Sequence, residues 1–382
     1  MPEYSLDDVT INGFRGLKNL RLDGLGLINI LVGPNNCGKT SVLEALSILC
    51  NASDPFEWLW MVRRRDFGGL DESRIQSLRW CFPQHGQLSD PEVTFEGECS
   101  MSCSGRFPLR KLRVTYRDLE GEPDPKKVGP KVKRPLLFDE IIEDGQPQRG
   151  AEITHYVESV GPLLRSGSFD PHPVVIQVWE DYRSLPGRSP RRRSVAPTET
   201  LTPYSYQINQ VQVRTRSRSI FGPEQDLILN LIREFDPEII DVKLGSFRGV
   251  RPAVYVEHRR LGPAPLSVFG DALRRAVLLA GTIFSLKDGG ILLIDEIETG
   301  IHISKLHRIF AWLIQIARQL HVQVVATTHS LEAVDAVALS TLDGHSDLVT
   351  YHLDQTESET RTKRIDGDLL LRLRSERGLD VR

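Results

Sequence analysis

The sequence of 382 residues has no excess of charge of either sign. Its 48 Lys and Arg residues nearly balance 51 Asp and Glu residues, and the formal net charge at pH 7 is −3. This composition excludes a protein that is basic over its whole surface, as many nucleic-acid-binding proteins are, and it excludes an acidic disordered chain. Any contact with nucleic acid must therefore come from a local basic patch.

Cysteine and long apolar runs are also scarce. The chain has 5 Cys residues without the spacing of a disulfide framework, which favours a reducing compartment. Cys99 and Cys103 could be half of a metal site, but no matching His or Cys pair follows, so we interpret them as strand and turn residues. The N-terminus has no apolar h-region of a signal peptide, and no uninterrupted apolar run approaches the length of a membrane span. These absences predict a soluble, cytoplasmic protein without a membrane partner.

Apolar residues make up 40% of the chain, which is enough for a sizeable core. The order of predicted strands and helices is that of an α/β fold. Residues 5–32 alternate like two or three strands, and the spacing indicates a helix over 150–165. We expect Glu44 to be solvated on the outer face of a helix over 40–50. Arg15, in the first connection, either contacts a base or phosphate or is a solvated loop residue.

A phosphate-binding loop is predicted near the N-terminus. The apolar run from Leu27 to Val32 is followed by the pattern G-x-x-x-x-G-K-T and then by apolar residues at helical spacing. Backbone N–H groups of such a loop, with the N-terminus of the helix, form a cradle for phosphate oxygens. Lys39 reaches the β- and γ-phosphates in this motif and Thr40 supplies a hydroxyl to Mg²⁺, so the predicted cofactors are ATP and Mg²⁺. The predicted loop consists of Gly33, Pro34, Asn35, Asn36, Cys37, Gly38, Lys39, Thr40 and Ser41.

Two carboxylates end an apolar run in the second half of the chain. The run from Gly290 to Ile294 suits a central strand, and ligands bind at the carboxyl ends of such strands. We expect Asp295 to hold Mg²⁺ together with Thr40, and Glu296 to polarise the attacking water as the catalytic base. The alternative is a helix-capping Asp beside a solvated Glu, which the presence of the phosphate-binding loop disfavours.

Other segments supply candidates for the rest of the site. His329 ends a second buried strand and is predicted to hydrogen-bond to the γ-phosphate as a catalytic residue. Ser267 and Gly270 precede a helix over 271–287 and would offer a hydroxyl and N–H groups as a second anion site. One domain cannot easily place two helix N-termini on opposite sides of one γ-phosphate, so we expect a head-to-tail homodimer.

Two parts of the middle of the chain leave alternatives open. Gln84 and Gln87 precede a predicted hairpin, where a nucleotide-binding head often places a Gln that senses Mg²⁺ and water; the sequence does not distinguish them, and Gln84 is our metal-site candidate. The most basic stretch contacts phosphates of a nucleic acid or is a solvated loop. It comprises residues 186–194 together with Arg214, Arg216 and Arg218.

Together these motifs resemble the ATP-binding-cassette heads of SMC, RecF and OLD (overcoming lysogenization defect) ATPases, and most closely the OLD-like ATPases of bacterial antiphage defence. The signature from Leu266 to Asp271 is looser than the Leu-Ser-Gly-Gly of transporters and SMC heads, and no long heptad arms interrupt the chain. The markers are residues 33–41, 266–275, 293–302 and 326–330, and residues 378–382 resemble the end of stand-alone members.

The resemblance implies an α/β P-loop head with a mixed sheet, antiparallel N-terminal strands and a divergent insert. Its predicted parts are 1–51, with the P-loop, 52–222, the insert, and 223–382, with the signature, the carboxylates and His329. It further implies a Mg²⁺-dependent ATPase that forms ATP-sandwiched dimers or higher homo-oligomers and switches or holds an effector in antiphage defence. The alternatives are a RecF-like DNA-repair ATPase that binds DNA ends and an ATP-binding scaffold with little turnover.

OLD proteins commonly carry a Toprim-type nuclease domain after the ATPase. Too few residues follow Ser330 for a further domain of roughly 100 residues. Asp366 and Asp368 match an Asp-x-Asp pair, but we interpret them as a turn and a helix N-cap because an apolar helical pattern follows. We therefore expect the effector, for example a Toprim-like nuclease, on a separate chain.

Overall fold

The structure is a computed structural model. It describes residues 4–65, 73–84, 94–124, 128–131, 148–159, 173–180, 182–184, 195–207, 225–246, 252–340, 347–356 and 359–381. The chain divides into two compact units that alternate along the sequence. Unit 1 consists of Met1–Asp8, Leu22–Leu43 and Pro197–Arg382, and unit 2 consists of Val9–Arg21 and Glu44–Ala196. The domain boundaries that we predicted at 51/52 and 222/223 stay a prediction.

The described residues form the following elements. The strands are β1 (Asp8–Asn12), β2 (Leu20–Asp23), β3 (Ile28–Val32), β4 (Glu96–Cys103), β5 (Leu109–Gly121), β6 (Val128–Lys131), β7 (Gln148–Ser159), β8 (Val174–Trp179), β9 (Tyr182–Ser184), β10 (Thr198–Leu201), β11 (Ile239–Gly245), β12 (Ala253–His258), β13 (Gly262–Pro265), β14 (Gly290–Ile294), β15 (Val322–Thr327), β16 (Leu348–Gln355) and β17 (Thr360–Asp366). The α-helices are α1 (Lys39–Cys50), α2 (Glu57–Arg65), α3 (Arg74–Arg79), α4 (Gln225–Arg233), α5 (Asp271–Phe284), α6 (Ile303–Leu320), α7 (Leu331–Ser340) and α8 (Gly367–Ser375).

Unit 1 is built around a six-stranded mixed sheet in the order β10-β14-β15-β3-β16-β17. Neighbours from β10 to β16 pair in parallel, and β17 pairs with β16 antiparallel. Every residue of β3, β14 and β15 is buried, which is usual for parallel strands covered on both faces. This confirms the predicted α/β class with a mixed sheet. The parallel pairing also brings the ends of these three strands to one edge of the sheet.

Helix α6 packs one apolar face into the core of unit 1 and leads directly into strand β15. Its apolar residues recur every three or four positions, so one face of the helix enters the core. His321 ends the helix in a left-handed conformation with φ of 55°, and the chain turns directly into β15. The buried residues of that face are Leu306, Ile309, Phe310, Leu313, Ile314, Ile316 and Ala317.

A small antiparallel sheet in unit 1 leads to the start of helix α5. Its strand order is β11-β12-β13, and β13 continues into a single 3₁₀ turn at Leu266–Val268. Leu266 is buried and Ser267 is exposed. The buried Leu266 and strand β13 therefore anchor the exposed residues that precede α5.

Unit 2 contains a six-stranded sheet in the order β2-β1-β4-β5-β7-β8, and the pairs from β1 to β8 are antiparallel. On β4 the buried residues alternate with less buried ones, and Cys99 and Cys103 face the interior on either side of Met101. Burial raises the pKa of the Cys103 thiol to about 12. Both cysteines are therefore core residues of a strand.

The prediction of a helix over 150–165 is wrong, because this region contains strand β7. Its backbone pairs with β5 on one side and with β8 on the other, and this pairing overrides the local apolar spacing. Gly150 lies against Trp179, where a Cβ atom would approach the indole ring to 2.7 Å. Close packing across β7 and β8 thus uses a residue that would weaken a helix.

Glu44 and His155 of unit 2 are buried polar residues that pair with side chains of the same unit. Glu44 is 7% exposed rather than solvated, and it forms ion pairs with Arg15 at 2.8 Å and Arg65 at 2.6 Å. Trp58 Nε1 donates a hydrogen bond to His155 Nε2 at 2.7 Å, so His155 Nδ1–H donates to a backbone carbonyl oxygen at 2.8 Å. Burial lowers the pKa of His155 to about 4.

No helix in the described part of the chain is long and apolar enough to cross a membrane.

Candidate phosphate-binding and catalytic site

The loop between β3 and α1 has a backbone that two glycines make possible. Gly33 has φ of 143° and Gly38 has φ of 96°. A Cβ atom on Gly33 would lie 2.4 Å from the carbonyl oxygen of Leu353 and 2.8 Å from Cys37 Sγ. Only glycine fits at this position, where the start of the loop packs closely against the backbone of β16 and against Cys37.

Lys39 places its ammonium group over this loop. Its Nζ donates to the carbonyl oxygens of Gly33 at 2.7 Å and Pro34 at 2.9 Å, and the residue is only 5% exposed. The concave side of the loop thus holds a cation beside the N–H groups of a helix N-terminus, the combination that phosphate oxygens require. Of the other predicted loop residues, Pro34, Asn35 and Asn36 are exposed, and Cys37 and Ser41 are buried.

A carboxylate from the other half of the sequence meets the first turn of α1. Asp295 follows β14, and its Oδ1 and Oδ2 accept hydrogen bonds from Thr40 Oγ1 at 3.1 and 3.2 Å. Thr327, at the end of the neighbouring strand β15, donates its hydroxyl to Asp295 Oδ1 at 2.7 Å. Hydroxyl and carboxylate oxygens are the hard ligands that Mg²⁺ prefers, so Thr40 and Asp295 fit a magnesium site.

Glu296 lies next to this cluster in an unusual backbone conformation. Its φ is 48°, in the left-handed region that non-glycine residues seldom adopt. Its N–H donates to Thr327 Oγ1 at 2.8 Å, and its Oε2 accepts a hydrogen bond from Thr299 Oγ1 at 2.8 Å. The half-buried carboxylate is therefore held at the edge of the sheet where the phosphate-binding loop begins.

Arg275 reaches the same turn from helix α5. Its guanidinium donates to the carbonyl oxygens of Asp295, at 3.3 Å, and Glu296. The residue is 6% exposed, and burial lowers its pKa, while the negative charges of Glu298 and Glu296 act in the opposite direction. The charged group is thus enclosed beside the backbone of Asp295, the predicted Mg²⁺ ligand, and Glu296, the predicted catalytic base.

His329 follows β15, as predicted, and its side chain is exposed. The backbone N–H of His329 donates to Glu298 Oε1 at 2.9 Å, which ties the end of β15 to the turn after β14. The other oxygen of Glu298 is buried without a hydrogen-bond partner in the structure. The structure brings His329 to the same edge of the sheet as Asp295 and leaves its role at a γ-phosphate a prediction.

The residues before α5 are open to their surroundings. Ser267 and Gly270 are exposed, and a Cβ atom on Gly270 would meet no atom within 4 Å. Gly270 is the N-cap residue of this 14-residue helix, and no side chain caps its first N–H groups. The predicted second anion site at Ser267 and Gly270 stays a prediction.

Gln84 lies in unit 2, and its amide donates to the carbonyl oxygens of Arg79 at 2.9 Å and Phe82 at 2.8 Å. Its predicted role at a metal stays a prediction. Gln87, residues 186–194 and Arg214, Arg216 and Arg218 lie outside the described residues.

Three contributors were missing from the predicted site, namely Thr327, Thr299 and Arg275. Thr327 could have been recognised from the sequence, since a small hydroxyl residue ends a buried strand parallel to β14. The sequence contains no local pattern that identifies Thr299 or Arg275, because their roles depend on how the chain turns after Glu296.

One further group of possible metal ligands exists among the described residues. Ligand atoms of Asp236, Glu238 and His258 lie within 4.8 Å of one another. However, the N–H groups of Arg260 and Leu261 both donate to His258 Nδ1 at 3.2 Å, so the ring proton is on Nε2 and faces Asp236 at 3.2 Å. We interpret the group as a structural hydrogen-bond network.

The fold and the geometry of the loop, lysine and carboxylates define a P-loop nucleotide-binding domain of the α/β class. The sequence model of one family, described as "AAA domain, putative AbiEii toxin, Type IV TA system", matches residues 28–335. This match covers most of the chain, and the chain belongs to that family. It includes the phosphate-binding loop, the residues before α5, both carboxylates and His329.

Two related proteins extend the comparison. A Helicobacter pylori protein named ATP/GTP phosphatase is 21% identical over 338 residues, which cover 86% of this chain and 86% of that protein. A Methanocaldococcus jannaschii protein, Uncharacterized protein MJECL10, is 43% identical over 51 residues, which cover 13% of this chain and 23% of that protein. In that second match the chain spans less than a quarter of its relative's length.

Two solved structures show a distant likeness. A structure of the SmcHead bound to the C-winged helix domain of ScpA has a TM-score of 0.48 and 9% identity, over 95% of this chain and 98% of that chain. The SMC head domain from Thermotoga maritima has a TM-score of 0.42 and 10% identity, over 94% of this chain and 99% of that chain.

Proposed function

We propose that this chain is a Mg²⁺-dependent ATPase. The observation that carries the proposal is the meeting of Thr40, Asp295 and Thr327 beside the phosphate-binding loop, with Glu296 as the next residue. A chain that only bound a phosphate group would need the loop and Lys39, but not a second carboxylate held at the same edge. The name ATP/GTP phosphatase of the Helicobacter pylori relative supports the same activity.

Each residue has a distinct role in this proposal. Lys39 and the loop N–H groups bind the β- and γ-phosphates, and Thr40 and Asp295 hold Mg²⁺, which neutralises charge on the phosphate oxygens when bound. Glu296 accepts a hydrogen bond from the attacking water and orients it toward the γ-phosphorus. His329 donates a hydrogen bond to the γ-phosphate.

We further propose that the active form is a head-to-tail dimer that encloses ATP. The uncapped start of α5 at Gly270 and the exposed Ser267 would meet the γ-phosphate bound by the partner copy. Two helix N-termini, one from each copy, would then face the same phosphate. The exposure of Val268, 63%, beside these residues supports a surface that is covered on dimerisation.

The biological role that we propose is a switch in bacterial antiphage defence, in which the ATP-bound dimer holds or releases an effector on a separate chain. The OLD-like motifs support this proposal, and so does the family description, which names a putative toxin of a type IV toxin–antitoxin system.

Mixed dimers test the ATPase and its assembly together. Lys39→Ala removes the phosphate ligand and Ser267→Arg blocks the second anion site, so each variant should be inactive alone. A mixed dimer regains one intact site of two, and an equal mixture should reach about a quarter of wild-type ATP turnover. Normal hydrolysis by Ser267→Arg as a monomer would refute the dimer.

Turnover that requires DNA ends would favour the RecF-like alternative, and absence of Mg²⁺-dependent turnover in the wild type would favour the scaffold.

A further inference from the structure

Arg275 makes an unusual set of contacts for a buried charged residue. Besides the carbonyl oxygens of Asp295 and Glu296, its guanidinium donates to the carbonyl oxygen of Pro203 at 3.5 Å. These acceptors are backbone atoms from two separate segments, and none is a carboxylate. The planar guanidinium therefore acts as a clamp on the backbone of the turn that follows β14.

The turn that Arg275 contacts is held at each of its polar groups. The N–H of Glu296 donates to Thr327 Oγ1, and its carboxylate accepts from the Thr299 hydroxyl. Its carbonyl oxygen accepts from Arg275 and, at 3.0 Å, from the N–H of Thr299. A left-handed backbone is unfavourable at a non-glycine residue and persists only where the surroundings fix it. Three of these four contacts are on the backbone, so the conformation of Glu296 depends on Thr327 and Arg275 together with the N–H of Thr299.

The burial of Arg275 is not explained by packing alone. Taking its charge out of water is unfavourable, and an apolar side chain of similar volume would often stabilise a core as well or better. Arg275 is nevertheless 6% exposed on the inner face of α5. Its placement is explained by what its N–H groups do at Asp295 and Glu296.

We propose that Arg275 is a positioning residue that holds the backbone of Glu296, and so aims its carboxylate for hydrolysis, without taking part in ATP binding. This inference rests on the proposed function, in which Glu296 orients the attacking water. Arg275 touches neither the phosphate-binding loop nor Thr40 in its hydrogen bonds, so its effect should appear in the chemical step.

Steady-state kinetics separate this role from a purely structural one. Arg275→Met keeps the aliphatic volume but removes the donors, and it should lower kcat about 10²-fold, as displacement of a catalytic group does, with ATP affinity within about threefold of wild type. Arg275→Lys keeps the positive charge but lacks the planar guanidinium group with its several N–H donors, and it should give an intermediate kcat. In a Glu296→Gln background Arg275→Met should add less than about a threefold loss, because both changes act through one group.

Arg233 offers a matched control. Its guanidinium also donates to two backbone carbonyl oxygens, those of Ile239 at 2.9 Å and Ile240 at 3.0 Å, away from the site. Arg233→Met should keep wild-type kcat. Three outcomes would each overturn the inference. The first is a wild-type kcat in Arg275→Met, and the second is a loss of kcat in the Glu296→Gln background as large as that in the wild-type background. The third is loss of ATP binding in both Arg275→Met and Arg275→Lys.

A crystal structure of Arg275→Met gives a readout that does not depend on turnover. We expect Glu296 to leave the left-handed region, and a φ that stays near 48° would overturn the inference. If the wild-type chain failed to hydrolyse ATP, the proposed function would fail, and this structural readout alone would decide the role of Arg275.

Discussion

Replacing Thr327 by Val should disable the site while keeping the shape of its core. The hydroxyl of Thr327 donates to Asp295 Oδ1 at 2.7 Å and accepts from the N–H of Glu296 at 2.8 Å, and the residue is 1% exposed. Val has nearly the same volume, but it leaves the N–H of Glu296 without this acceptor, and Asp295 keeps only the hydrogen bond from Thr40 of the two described hydroxyl donors. A buried polar group left unpaired costs about 1–3 kcal/mol, so we expect a loss of roughly 1–3 kcal/mol in the free energy of unfolding.

The same change should also act on catalysis, because one hydroxyl fixes both carboxylate residues. We expect weaker Mg²⁺ dependence through Asp295 and a kcat lowered by about 10²-fold through Glu296. Denaturant unfolding and Mg²⁺ titrations of ATP turnover measure the two effects. Thr327→Ser, which keeps the hydroxyl, should recover most of both.

Thr350 provides a matched control on a neighbouring part of the same sheet. It is fully buried on β16, and its hydroxyl has no hydrogen-bond partner in the structure. Thr350→Val should therefore leave turnover unchanged and keep or raise stability, since it removes an unsatisfied polar atom. Equal stability and equal kcat in Thr327→Val and Thr350→Val would refute the reasoning about Thr327.

Three other predictions concern separate features. Lys39→Ala should abolish ATP binding in a nucleotide titration, because it removes the only side-chain cation described on the loop; unchanged affinity would remove the phosphate-binding role. The pKa of His155 is about 4 in the folded chain against an ordinary value of 6.5, so the neutral ring contributes its full share of the free energy of unfolding above pH 6.5. Between pH 6.5 and pH 4 this contribution declines by about 1.4 kcal/mol per pH unit as the pH falls. His155→Gln should therefore flatten that part of a thermal-unfolding profile measured against pH. Asp366 pairs with Arg364 at the start of α8, so the purified chain with ATP and Mg²⁺ or Mn²⁺ should leave plasmid DNA intact; cleavage lost in Asp366→Ala, Asp368→Ala with ATP turnover retained would place a nuclease in this chain.

The parts of the fold that the sequence predicted well are those with local physical signals. A buried strand, a loop with glycines at fixed positions and a helix follow one another at β3 and α1, and each is specified within a few residues. The meeting of Thr40 and Asp295 also followed from local patterns, because the carboxyl ends of parallel strands share one edge of a sheet.

Features that depend on distant partners could not be predicted in this way. Glu44 has the sequence signature of a solvated helical residue, and its burial follows only from Arg15 and Arg65 folding over it. Strand β7 was mistaken for a helix because its apolar residues suit either period until β5 and β8 pair with it. Arg275 lies on a helix where an arginine is usually solvated, and its acceptors are backbone carbonyl oxygens of distant segments, at Pro203, Asp295 and Glu296.

The most direct test of the proposed ATPase is a comparison of Glu296→Gln with the wild type in one experiment that measures bound ATP and released phosphate. The Gln variant keeps the size of the side chain but cannot orient and deprotonate water as a carboxylate does. We predict that it binds ATP with wild-type affinity, releases phosphate about 10²–10⁴-fold more slowly and accumulates as an ATP-bound dimer. Phosphate release at the wild-type rate would show that Glu296 is not the catalytic base and would contradict the proposed site.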